Sequence, residues 1–81
     1  MTQQTGEALA DCVVDGRGLE PPEPFERTMA ALDEIEPGQK VLLLLGREPF
    51  PLYRALALNG FVWQTKHTQS GEVEVLIQHK A

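Results

Sequence analysis

The chain has 81 residues, seven lysines and arginines against twelve acids, and a formal net charge of −5 at pH 7. A single domain of this size buries only about 60% of its unfolded surface, so its core is thin. The acidic balance, with no basic cluster, argues against nucleic acid and anionic lipid as partners; no apolar run approaches the ~20 residues of a membrane span; and a lone cysteine, Cys12, excludes an internal disulfide.

Met1 to Glu7 is polar and lacks a positive n-region, so it does not read as a signal peptide. The expectation is a flexible lead-in over 1–10, one domain over 11–81, and a cytoplasmic location. Cys12-Val13-Val14 is a short apolar run that ends at Asp15 and Gly16, the pattern of a strand entering a turn. A helix follows from near Pro22 to Pro24, because first-turn amides have no intrahelical acceptor and proline is tolerated there. Phe25, Met29, Leu32 and Ile35 recur at spacings of four and three and define its apolar stripe. Glu23 and Glu26 suit the positive end of the helix dipole, and Pro37-Gly38 stops the helix.

Lys40 to Leu45 is apolar on both faces, which suits a strand with neighbours on both sides. A second helix begins near Pro49 to Pro51 with Leu52 and Leu56 inward, and Gly60 takes the position after its C-cap. Two alternating strands close the chain. A two-residue turn at Ser70-Gly71 would mix their faces. A three-residue loop, Gln69-Ser70-Gly71, sets Trp63 opposite Ile77 and Thr65 opposite Val75, with Gly71 left-handed.

The order is strand, helix, strand, helix, strand, strand. Asp15, Gly18, Leu19, Pro22 and Pro24 fall on the pattern Leu-Asp-x-x-Gly-Leu-x-Cys-Pro-x-Pro. This run resembles the signature of the TusA/SirA-like sulfur-carrier family, with Pro21 at the position of the carrier cysteine. A second run, Glu48-Pro49-Phe50-Pro51-Leu52 with Gly60, Phe61 and Trp63, resembles the cysteine-free relatives called DUF2249. Those relatives often carry a histidine where Arg47 stands here. The resemblance covers residues 12 to 79. It implies an α+β fold, a βαβαββ two-layer sandwich with two helices on one face of a four-stranded mixed sheet. It also implies that the second strand is internal, with the last strand inserted beside it.

The chemistry narrows by elimination. Sulfur transfer needs an accessible thiolate, favoured at a helix N-terminus, and Pro21 supplies none. Cys12 lies on a strand, where free cysteines are usually buried and inert. Anion binding at the first helix mouth is disfavoured, since Pro21, Pro22 and Pro24 lack amide hydrogens and Glu20 and Glu23 add negative charge. His67 and His79 fall at opposite ends of the hairpin, roughly 20 Å apart at ~3.3 Å per residue, too far to share a metal. Both read as isolated solvated histidines. No catalytic set, metal site or cofactor is expected.

What remains is a surface. Arg17, Glu20, Pro21, Pro22, Glu23, Pro24, Arg47 and Glu48 are expected to surround the helix mouths and to dock a protein partner with a basic surface. Arg47 is free to pair with Glu48 or with the acids near Glu20. The alternative is an accessory role in sulfur relay or redox metabolism, binding a sulfurtransferase or a small ligand, which needs a reachable Cys12. The sheet face turned away from the helices carries either Val41, Leu43 and Leu45 or Leu42 and Leu44. Joined by Val13 or Val14 and by Leu76, that set offers a homodimer surface.

Overall fold

Apolar residues at two-residue and three-to-four-residue spacings become six elements in the computed structural model, which describes residues 10–80. The expected lead-in lies outside the described residues except for Ala10. The elements are β1 (Cys12–Asp15), α1 (Glu23–Glu34), β2 (Lys40–Leu45), α2 (Phe50–Leu58), β3 (Phe61–His67) and β4 (Val73–His79). The sheet order is β1-β2-β4-β3. β1 runs parallel to β2, and β4 is antiparallel to both β2 and β3. β2 is therefore internal and β4 is inserted beside it. α1 packs on β1 and β2, and α2 packs on β3.

The hairpin register is the one that shared burial requires. Trp63 pairs with Ile77, Thr65 with Val75 and His67 with Val73. Thr68 donates its amide to the Glu72 carbonyl at 2.8 Å, and Gly71 closes the loop at φ 90°. A side chain at that φ would be strained, which is why glycine occupies it.

The leucine run divides between two faces. Val41, Leu43 and Leu45 face the helices and join Val14, Leu32, Leu52, Leu56, Phe61, Val73, Val75 and Ile77 in the core. Leu42 and Leu44 form the outer set, and Leu42 sits between Val13 and Leu76. Yet Leu42 is only 1% exposed and Leu44 6%. The outer face is thus less of an open apolar patch than expected. Its exposed apolar residues are Val13 and Val62 at its two margins.

One stripe residue needs correction. Phe25 is 39% exposed, and the buried positions of α1 are Thr28 and Leu32. Phe25 belongs to the first turn of α1. Thr28 is fully buried, and its hydroxyl donates to the Pro24 carbonyl at 2.8 Å. Without that bond a buried hydroxyl would cost about 1–3 kcal/mol. The contact also pins the first turn of α1 from inside.

Candidate functional site at the helix mouths

β1 and β2 are parallel, so the turns that leave their C-terminal ends open on the same end of the sheet. β3 runs in the same direction as β2, since β4 is antiparallel to both. The α1 mouth, the α2 mouth and the β3–β4 loop therefore share one end of the molecule. Gly16 draws the first two together. Its amide donates to the Leu44 carbonyl at 2.8 Å, and a Cβ at this position would lie 3.2 Å from Pro24 Cβ.

The α1 mouth presents carboxylates and proline rings. Glu20, Pro21 and Pro22 are exposed, and the Pro21–Pro22 peptide is cis. The Glu23 amide is consumed by the Glu20 carbonyl at 2.9 Å, and the Glu26 amide by the Pro22 carbonyl at 3.0 Å. Glu23 is held by Arg27 one turn later, at 2.8 Å, and is half-buried, so it is not a free docking charge. The exposed acids at this mouth are Glu20 and Glu26.

Arg17, in the β1–α1 turn, is already held by acids. Its guanidinium grips Asp15 through Nε at 2.9 Å and reaches Glu72 through Nη1 at 3.1 Å. Val13 and Asp15 alternate with inward Val14, and Glu72 precedes β4 in the outward parity of Glu74 and Leu76. The ion triad thus ties the β1–α1 turn to the β3–β4 loop at the end of the sheet where the helix mouths open. The Arg17 contact holds the Asp15 carboxyl down at about 2, and Asp15 with Glu72 raises the guanidinium further.

The α2 mouth holds a polar cluster that sequence reasoning missed. The Tyr53 hydroxyl donates to Glu48 Oε2 at 3.1 Å and lies 2.5 Å from Thr65 Oγ1. His67 Nε2 is 3.3 Å from Glu48 Oε1. His67 is therefore not an isolated histidine. Glu48 is engaged by His67 and Tyr53, and among the described residues Arg47 forms no ion pair and is exposed. The expected Arg47–Glu48 pairing does not form, because Glu48 turns toward β3. Burial raises the Tyr53 phenol above its ordinary 10.0, with the Thr65 bond opposing and the Glu48 carboxylate adding to the rise. The Tyr53 ring is stacked on Trp63 at 5.1 Å and 8°, and Phe50 meets it edge-on at 5.9 Å. The one sequence signal for this cluster was the hairpin register, which put His67 at the end of β3 nearest the α2 start.

His79 sits at the far end, against the Phe61 ring at 4.8 Å and 3.4 Å from the Ile35 carbonyl. Among the described residues no three histidine, cysteine or acidic side chains gather as a metal site. Cys12 is half-buried against the core at the start of β1, the opposite end from the helix mouths.

Two helices on one face of a four-stranded mixed sheet, in the order βαβαββ, define an α+β two-layer sandwich. The family model described as "Uncharacterized conserved protein (DUF2249)" matches residues 13–79, and the chain belongs to that family. Among solved structures it is similar to a SirA-like protein from Desulfitobacterium hafniense, at 25% identity and a TM-score of 0.77, covering 86% of this chain and 99% of that one. No curated protein matches it in sequence.

Proposed function

We propose that this domain is a protein-binding or regulatory module that works without sulfur transfer, docking a partner on the end where both helix mouths open. The carrying observation is that Pro21, which falls at the cysteine position of the sulfur-carrier signature that this run resembles, stands exposed at the α1 mouth. It is flanked by exposed Glu20 and Pro22, with Arg47 exposed at the adjoining mouth. A mouth of prolines is rigid before binding, which reduces the ordering cost of association. Glu20 and Glu26 favour a basic partner segment and would raise its association rate through steering.

The test is affinity capture from the host's own lysate, followed by titration calorimetry on each purified hit. Glu20→Lys/Glu26→Lys should abolish enrichment, and affinity for the native domain should fall as salt rises. Equal enrichment by native and variant domains would refute the assignment of this surface. Sulfur relay would be supported instead if the hit were a sulfurtransferase whose binding is lost on modifying Cys12.

A further inference from the structure

Strand β3, Phe61–His67, is one margin of the sheet and is bonded to β4 alone. Among the described residues no other backbone group pairs with it. It has no proline and no glycine, and Lys66 is its one charged residue on the outer face. Sheets usually shield a long edge with proline, a bulge or several charges, because its free amides and carbonyls are a template for another strand.

Above this margin α2 lays an aromatic ledge. Helical geometry puts Phe50, Tyr53 and Ala57 on one flank, beside the buried stripe of Leu52 and Leu56. Tyr53 touches Trp63 and Thr65 of β3, so that flank overhangs the open edge. Phe50 is 66% exposed, and Trp63 and Tyr53 are half-exposed. Tyrosine and tryptophan at such a margin are the residue types that dominate interface energies.

We propose that β3 pairs antiparallel with the β3 of a second copy, about a two-fold axis at Gln64, joining the two four-stranded sheets into one. The strand's own sequence favours a self-partner. In this register Trp63 meets Thr65 of the other copy, Val62 meets Lys66, Phe61 meets His67, and Gln64 meets itself. All seven residues pair, and no like charges stand opposite one another, an arrangement that would destabilise a pair. Inward residues meet inward residues, so both helix layers stay on one side and the two aromatic ledges face each other. Centring the axis on Trp63 or Thr65 leaves fewer pairs. Centring it on Lys66 sets lysine against lysine. This margin is distinct from both the helix-mouth docking end and the outer sheet face.

A seven-residue strand spans about 23 Å. A contact of that length and two layers deep lies at or below the ~800 Å² per partner of standard interfaces. A contact this small favours a weak, reversible dimer that is tested over a wide concentration range. Sedimentation velocity from about 10 µM to about 1 mM should show a reversible monomer–dimer equilibrium. Gln64→Lys sets two ammonium groups face to face at the axis and should raise the dissociation constant at least ~10-fold. Val13→Lys, on the outer face, should leave it unchanged. In a Cys12→Ser background, Gln64→Cys should cross-link to a dimer under mild oxidant, while Val62→Cys should not. Circular dichroism on each variant confirms that the fold persists. A native chain that stays monomeric at about 1 mM overturns the proposal. So does a dimer that survives Gln64→Lys but dissociates with Val13→Lys, which would assign the outer face instead.

Discussion

Gly16→Ala tests whether the two helix mouths are held together by close approach. An added Cβ would lie 2.7 Å from Leu45 Cδ2, 3.2 Å from the Leu44 carbonyl oxygen and 3.2 Å from Pro24 Cβ. The first neighbour is the end of a flexible side chain, but Leu45 is buried in the core and can yield only by disturbing its surroundings. The carbonyl and the proline ring are stiffer still. Overpacking of this kind costs about 1–3 kcal/mol. Gly16 is not in the left-handed region, so alanine also removes unfolded-state freedom, worth about 0.4–1 kcal/mol in the variant's favour. The net expectation is destabilisation of about 1 kcal/mol, within a range of about 0–2.6 kcal/mol, by urea unfolding. The decisive measurement is the cycle with Leu45→Ala, which removes the nearest atom. Leu45→Ala alone should cost about 2–5 kcal/mol, and the double variant should be more stable than the sum of the two by at least ~0.5 kcal/mol. Strict additivity would show that Gly16 and Leu45 do not constrain each other, and the geometric account of the shared end would fail.

Other consequences are accessible to standard measurements. Asp15 titrates at about 2 when folded, against 3.8 ordinarily. Its contact with Arg17 therefore stabilises the fold fully above pH 3.8, and that contribution is lost as pH falls from there toward about 2. In Arg17→Ala, carboxyl shifts followed by NMR should show the Asp15 midpoint rising toward its ordinary value but staying below it, since the backbone amide of residue 17 still donates to Asp15 Oδ1; an unchanged midpoint would remove the Arg17 guanidinium as the main cause. The Tyr53 phenol should ionise above its ordinary 10.0, as followed by phenolate absorbance. Because its pKa is raised, any stability it contributes is present below pH 10 and declines as pH climbs toward the folded value. Glu48→Gln should lower the midpoint but leave it elevated, since burial is the larger cause; a complete return to the ordinary value would reverse that ranking. Cys12, half-buried against the core, should alkylate slowly in the native protein and rapidly in denaturant. Equally fast reaction in both would revive a thiol role.

The elements and their local ends were legible in the order of residues. Proline starts, the Pro37-Gly38 stop, the left-handed Gly71 and the inward alternation of Trp63, Thr65, Val75 and Ile77 depend on near neighbours and on a period of two or of 3.6 residues. A fold pattern followed from their order, and Pro21 in place of a thiol was legible in one line of residues. Which leucines of β2 face the helices depends on packing between elements, because a strand apolar on both sides carries no phase of its own. That packing also sent Arg17 to Glu72, 55 residues away, and turned Glu48 from Arg47 to His67 and Tyr53. Ion pairs between elements follow from how strands are ordered and directed, and side chains adjacent in sequence point apart as often as together. The helix mouths share one end because β1, β2 and β3 run the same way, a property of the assembled sheet that no single segment encodes.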